Sequence, residues 1–589
     1  MGAKANSAWI DSRADCNRHR ASETALMSIS PAAYNQPVVQ ISSFLGSCSS
    51  RTAVARAGFA LLLALALSAV LPADAQSGSE SASAAADHGR ILLVLPFDNR
   101  SGQPSLEWIR EAAANLLSSR FASAGFAPMT RADRMYALDH LGLPQSFQPS
   151  RASSLKLAQT LDADSIVVGS FSTDGTQILT QAQIVNVPLL RMSAPITSRG
   201  EMRDMIAVFD SLAWKLTREL DPSFSGAEET FIAEGRSLRL DAYEQYIRGI
   251  TEPDQAERLR HLEQSVKLSP DFSPAWMALG REDYQGQQYE EAAQAFQKVD
   301  RDGPDGLEAG FYGGVSLLFS GDYPKAELAF AEVARILPLA EVLNDQGVAV
   351  SRQGHDATAL FVQAASADPN AADYHFNLAV SLKRHGKTDA ALNELAQCLK
   401  LRPSDSEAQA LQTAWKSSSP APASTGSDPA TPDPLERIVR TFDAAAFKQA
   451  SVMVDQMNAT RMAALTPQER ALKLSSQATG YLDRGLLLEA ERLYQSALAA
   501  DAQTAEAHLG LALVGERTGN TAEARQQAHA ALELAPSADA YLVLCRLDLA
   551  QNHLSEARDD AGNALKLDPK SQPAEELLRQ IQLRLGGSK

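Results

Sequence analysis

Cysteine, aromatic side chains and positive charge are all scarce. There are four cysteines in 589 residues, aromatics make up 6%, and the formal net charge is −17. An acidic chain of this kind lacks the clustered basic surface that nucleic acid requires, so nucleic acid is not an expected partner. Cys398 and Cys545 lie far apart in separate helical stretches and read as small buried hydrophobes, not as a disulfide or metal pair. H-E-x-x-H, C-x-x-C and an EF-hand loop are missing, and the ten histidines are scattered without metal spacing. No metal or cofactor is expected. No apolar run reaches the ~20 residues of a typical membrane span.

The nearest to one is residues 57–71, AGFALLLALALSAVL, preceded by Arg51 and Arg56 and followed by Ala73-Asp74-Ala75. A charged n-region, a short apolar core and an A-x-A site form a secretory leader. Residues 1–75 are therefore read as a leader cleaved near Ala75. The expected location is periplasmic or secreted. Inner-membrane anchoring through residues 57–71, with periplasmic domains, is the alternative. Residues 76–90 follow as a linker.

Residues 91–222 alternate strands and helices. Ile91–Leu95 reads as a buried strand and Phe126–Thr130 as a short second one; Ser165–Phe171 and Gln177–Val187 flank a Thr173-Asp174-Gly175-Thr176 turn. A helix is expected from Leu106 to Phe121 with Ser105 as its cap, and others over 131–141, 151–161 and 202–220. The first strand and helix frame Asn99-Arg100-Ser101-Gly102, which raises the question of a phosphate site. The dinucleotide fingerprint needs three glycines, and here Gly102 stands alone between acidic neighbours. His385-Gly386-Lys387-Thr388 imitates the end of a P-loop, but Ser381 stands where a glycine is needed. Ser153-x-x-Lys156 imitates a penicillin-binding nucleophile without its partner motifs.

Val94-Leu95-Pro96-Phe97, Asn99 and Ser101-Gly102, followed in order by Ala163-Asp164 through Gly169, resemble the N-terminal domain of TolB and the related FlgO-type domains. The resemblance spans about 130 residues. It implies a non-catalytic α/β domain serving assembly in the bacterial envelope.

Beyond residue 240 the chain repeats. Prolines at 270, 304, 338, 369 and 403 are spaced 34, 34, 31 and 34 apart. Trp276-x₂-Leu279-Gly280, Tyr289, Ala292-x₃-Phe296 and Pro304 are the tetratricopeptide pattern of paired antiparallel helices. Gly314, Tyr323, Ala326-x₃-Phe330 and Pro338 repeat it, as do Asn377-Leu378-Ala379, Gly386, Ala391-x₃-Leu395 and Pro403. The unit ending at Pro369 is short, which predicts a bend in the superhelix there. Ala242-Tyr243 through Gly249 resembles the junction at which TolB-type domains meet such arrays.

The fold class is thus α+β multidomain: a small α/β domain followed by two all-α superhelical arrays. The first array covers 241–415, with about five repeats. A Ser/Pro/Ala linker covers 416–434. The second array covers 435–589, with three clear repeats, a degenerate unit over 435–470 placing Ala450, Val454 and Met457 in second-helix slots, and a capping helix over Ala574–Leu585.

The repeat family implies protein or peptide binding on the face lined by first helices. With Trp276 as position four, the face-lining slots fall on Met277, Arg281 and Tyr284, then Phe311, Val315 and Leu318, then Phe376, Val380 and Lys383. The same apolar spacing also suits side chains buried against one another. The family's paired Lys/Asn carboxylate clamp is incomplete, so an acidic C-terminal peptide is not favoured. The function expected is a non-catalytic scaffold; the alternative is an enzyme or ligand-binding sensor with its site in residues 91–222.

Overall fold

The computed structural model describes residues 90–144, 150–417, 434–442 and 458–586. The leader, and the slots at Ala450, Val454 and Met457, lie outside the described residues. Everything described belongs to one unit, Glu80–Lys589.

The α/β domain is built on β1 (Ile91–Val94), β2 (Asp98–Asn99), β3 (Ala127–Pro128), β4 (Ser165–Thr173), β5 (Gln177–Asn186), β6 (Arg191–Met192) and β7 (Ile196–Glu201). β1 lies between β3 and β4 and is parallel to both; β5 runs antiparallel to β4, β6 and β7. Successive side chains of a strand point to opposite faces. Leu92 and Val94 accordingly join α1 (Ile109–Ser123) and α4 (Met205–Leu220) in one core. Leu93 and Leu95 join α2 (Arg131–His140) and α3 (Arg151–Thr160) in the other. The β4–β5 hairpin turns at Gly175, whose φ of +100° suits glycine, while Asp174 accepts from the Thr176 and Gln177 amides.

The two motifs of this domain touch. A Cβ on Gly169 would stand 2.3 Å from the Phe97 ring, so only glycine admits the ring there. Asp164 accepts the Ile91 amide at 3.0 Å. The first helix starts later than its sequence suggests. Pro104–Leu106 forms a 3₁₀ turn, α1 begins at Ile109, and Ser105 caps nothing. Pro104 fits the first residue of such a turn because it needs no amide partner.

The first array pairs α6 (Leu240–Thr251) with α7 (Gln255–Leu268), α8 (Ser273–Gln285) with α9 (Tyr289–Gln297), α10 (Gly306–Ser320) with α11 (Tyr323–Ile336), α12 (Ala340–Arg352) with α13 (Thr358–Ala367), and α14 (Ala372–Arg384) with α15 (Thr388–Leu401); α16 (Ser406–Ser417) closes it. The repeat signature is a contact. Cβ atoms on Gly280, Gly314 and Gly347 would lie 2.8, 2.8 and 2.7 Å from the rings of Phe296, Phe330 and Phe361. In the next pair, buried Ala379 and Leu395 take the equivalent sequence positions, a larger small residue with a smaller partner. The short unit loses its residues from α13, which has 10 against 14 in α11, and Phe361 still reaches Gly347.

The second array pairs α17 (Pro467–Asp483) with α18 (Leu487–Ala500), α19 (Ala505–Thr518) with α20 (Thr521–Leu534), and α21 (Ala538–Ala550) with α22 (Leu554–Leu567), then ends in α23 (Gln572–Gly586). α17 starts from a Thr466/Glu469 capping box with Pro467 at its first turn. Cys398 and Cys545 are free, fully buried and in different arrays.

Both arrays are tied to the α/β domain. Tyr243 of α6 donates to the Ala112 carbonyl and to Asn115 Oδ1, and Arg248 to the Ser105 carbonyl. The second array returns to α5 (Glu228–Glu234), and each helix supplies a carboxylate to the other's start. Glu491 accepts the Ala227 amide at 3.1 Å, and Glu234 accepts the Leu488 amide at 3.0 Å. Leu488 is buried in the α/β core.

Burial pushes Glu491 up to about 7, against hydrogen bonds from Thr230 and the Ala227 amide, and with Glu523 and Glu229 adding repulsion. The folded chain thus holds this proton more tightly than an unfolded one, whose value is near 4.5. The contribution of this site to stability therefore declines as pH rises from 4.5 to 7. Glu491→Gln should remove that decline and raise the melting midpoint at pH 7.5. Parallel melts of both proteins between pH 5 and 8 with an unchanged difference would refute the assignment.

Candidate functional site

A nine-residue stretch of the chain lies extended across the face formed by the first helices of the first array. Pro434-Leu435-Glu436-Arg437-Ile438-Val439-Arg440-Thr441-Phe442 carries no helix, although residues 435–470 read in sequence as a degenerate repeat. Its partners come from α8, α10, α12 and α14, and from the start of α16. It runs from α14 toward α8, opposite to the order of the repeats.

The main chain is gripped at Arg437. Asn377 Oδ1 accepts its amide at 2.7 Å, while Asn377 Nδ2 and Asn344 Nδ2 donate to its carbonyl at 2.8 and 3.1 Å. Two residues on, the Val439 amide donates to Asp345 Oδ1 at 2.9 Å. The Arg440 carbonyl accepts from the Tyr284 hydroxyl at 2.9 Å. Asn344, Asn377 and Asp345 are fully buried beneath the segment. Their hydrogen bonds supply the main-chain pairing that an extended segment otherwise leaves to water.

The side chains sit in seats of opposite charge. Glu436 is bound by Ser351, Arg352 and Arg384, with the Arg352 Nε at 3.0 Å. Burial alone would raise its carboxyl, but the Ser351 hydroxyl and the Arg384 charge hold it below the ordinary carboxylate range. Arg437 pairs with Asp405 at 2.6 and 2.9 Å, with Asp373 at 2.9 Å and with Glu407 at 3.0 Å, and its guanidinium lies 3.6 Å over the Phe376 ring. The Arg437 hydrogen bond holds Asp405 low as well. Arg440 lies over Phe319, and the Phe442 ring is 5.4 Å from that of Phe311. Ile438 and Val439 pack against the array core.

The residues assigned to this face by repeat position divide into two groups. Tyr284, Phe311 and Phe376 touch the segment. Met277 packs with Ala292, Phe296 and Val299, and Val315, Leu318 and Val380 are buried in the array core. Arg281 pairs with Glu308, and Lys383 donates to Thr388 and lies over Trp415. Repeat position did not pick out Asn344, Asn377, Asp345, Arg352, Arg384, Asp373 or Asp405. A signal for one of them exists: Asn344 stands three residues before Gly347, as Met277, Phe311 and Phe376 stand three before Gly280, Gly314 and Ala379, whereas Asn377 falls one slot later.

In the α/β domain, the turn after β1 is closed on itself. Asn99 donates to the Gln103 carbonyl and the Glu107 carboxylate, and accepts the Ser101 amide; Ser101 Oγ accepts the Gln103 amide. The Arg100, Ser101 and Gln103 amides of this turn are already bonded, and Glu107 carries negative charge beside them. Gly386 and Lys387 form the turn between α14 and α15. Among the described residues, no group of three or more His, Cys, Asp or Glu is placed to hold a metal, and no helix is long and apolar enough to cross a membrane.

The tetratricopeptide repeat family matches residues 277–341, 350–406 and 476–539, so the helix pairs within those ranges, in both arrays, are tetratricopeptide repeats. None of that match falls on the α/β domain. No curated protein matches the chain. Among solved structures, the chain is similar to YrrB, described as a TPR protein with an unusual peptide-binding site, at 16% identity over 34% of this chain and 99% of that one, with a TM-score of 0.26. It is similar to MamA from Desulfovibrio magneticus RS-1 at 18% identity over 31% and 99%, with a TM-score of 0.25. It is also similar to the first TPR of Spaghetti (RPAP3), bound to the HSP90 peptide SRMEEVD, at 26% identity over 20% and 95%, with a TM-score of 0.20. The chain carries a mostly helical solenoid behind a small sheet-containing domain, and the repeats support a protein–protein interaction scaffold.

Proposed function

We propose that the protein is an exported, non-catalytic adaptor of the cell envelope that grips extended segments of partner proteins on the inner face of its first array. The observation that carries this reading is the main-chain grip of Asn344, Asn377, Asp345 and Tyr284 on an extended segment. It holds a peptide by groups every sequence possesses, and leaves selection to the charged seats on either side. The Arg51/Arg56, Leu-rich, Ala-x-Ala leader supports export. The TolB/FlgO resemblance of residues 91–222 supports the envelope as the place of work.

A photo-crosslinking residue at Phe319, in the full chain expressed in its native host, tests both parts. Crosslinked partners should appear in the envelope fraction, on a chain beginning near Gln76. Asn344→Ala with Asn377→Ala should reduce them at least ~10-fold, since two or three buried hydrogen bonds of about 1 kcal/mol each are lost. An uncleaved chain confined to the cytosol would end the export reading. Crosslinks indifferent to the asparagines would end the groove reading.

A further inference from the structure

The face that takes extended segments is already covered, by the chain itself. We infer that Pro434–Phe442 is a tethered ligand that keeps the first array closed, and that the partner opening it carries an internal extended segment of the same chemistry: an acid, then arginine, two β-branched apolar residues, arginine, any residue, and an aromatic. This rests on the adaptor reading above.

Three observations support it. Two of the three charged side chains of the segment have a seat of opposite sign built from more than one helix, Ser351, Arg352 and Arg384 around Glu436 and Asp373, Asp405 and Glu407 around Arg437, while Arg440 lies over the Phe319 ring. A stretch serving only as a spacer would need no such specificity. The grip acts on main chain as well as side chains, so another segment of the same pattern can form the same bonds. The segment is also an internal stretch of the sequence, with residues preceding Pro434 and following Phe442, so the site does not require a free terminus. The seats therefore suit an internal stretch of a partner.

Tethering sets the size of the effect. A segment joined to its site within one chain competes at an effective concentration on the order of millimolar. A free peptide of micromolar intrinsic affinity is then weakened by a factor of roughly 10²–10³ in the intact chain. A partner must match the pattern and be presented at high local concentration, or first displace the segment.

The test uses the full chain and a fluorescent peptide of sequence PLERIVRTF, read by polarisation. In one variant, residues 434–442 are replaced by nine alternating Gly and Ser. In a second, Glu436→Arg with Arg437→Glu places like charge in both seats. Each variant should bind the peptide at least ~10-fold more tightly than the native chain. The peptide PLREIVRTF should fail to bind the Gly/Ser variant, and Asn377→Ala in that variant should abolish binding of the native peptide. Equal affinity in native and Gly/Ser chains would overturn the tethered competitor, as would a folded Gly/Ser variant that binds nothing. If both variants lose cooperative unfolding, the segment is a structural part of the array and the inference falls. Dimers of the native chain that vanish in the Gly/Ser variant would show the segment seated in a second copy, which also overturns it. If the Gly/Ser variant binds the peptide while no chain captures an envelope partner at Phe319, the tethered ligand stands and the adaptor reading fails.

Discussion

Arg120→Ala is expected to destabilise the α/β domain by about 3–5 kcal/mol, measured by urea unfolding at pH 7.5. Arg120 of α1 donates to Asp210 of α4 at 2.8 Å, and both are buried. Burial pushes Asp210 up to about 6, with Arg120 pulling against it, so the carboxylate is charged at pH 7.5 and needs its partner. Removing the guanidinium leaves that charge alone in a core shared with Tyr243 and Leu488. Asp210→Leu with Arg120→Met should recover most of the loss, because a buried ion pair replaced by packed apolar side chains is often neutral. A loss below about 1 kcal/mol for Arg120→Ala would mean that water reaches Asp210 and that the pair does not bind α1 to α4.

The arrays were legible in the sequence because a repeat writes its packing into local spacing. A proline every 34 residues and an aromatic 16 residues after a glycine are short-range records of two helices in contact. The β4–β5 hairpin was legible for the same reason, with Asp174-Gly175 marking its turn. Helix α1 was misplaced by three residues because Pro104 favoured a 3₁₀ turn where Ser105 invited a cap.

The occupied face was not legible, and Leu435, Ile438, Val439 and Phe442 show why. They fall at i, i+3, i+4 and i+7, the spacing of a helix face, and were read as the start of a degenerate repeat. In the structure those residues are extended. Val439 and Phe442 bond to Asp345 and Tyr312, 94 and 130 residues away. Nothing within a helical window records such contacts. The polar side of the site escaped for a related cause. Apolar slots can be counted along a repeat, but the seats for Glu436 and Arg437 are shared among helices. Tyr284, Phe311 and Phe376 occupy countable slots and touch the segment, whereas the contacts of Asp373 and Asp405 with Arg437 depend on the segment laid over them.

Phe330→Ala should cost about 3–5 kcal/mol and fall on the groove as well as on its own repeat. The ring is fully buried on Gly314 and lies 6.0 Å from Phe311, whose other side meets Phe442. Deleting it leaves a cavity beneath the aromatic floor of the site. A solenoid's stability is a sum over repeats and their nearest-neighbour contacts, so the damage should be regional. Hydrogen exchange should quicken first in α10 and α11, next in α9 and α12, and least in the β4–β5 hairpin. The Phe442 amide, which donates to the Tyr312 hydroxyl at 3.4 Å, should lose protection together with α10. The Arg437 amide, held by Asn377 two repeats away, should keep its protection longer. Loss of both amides at one rate would mean that the segment leaves as a single unit and that its seats are energetically inseparable. Phe330→Leu should restore part of the stability, because it refills most of the cavity without pressing on Gly314.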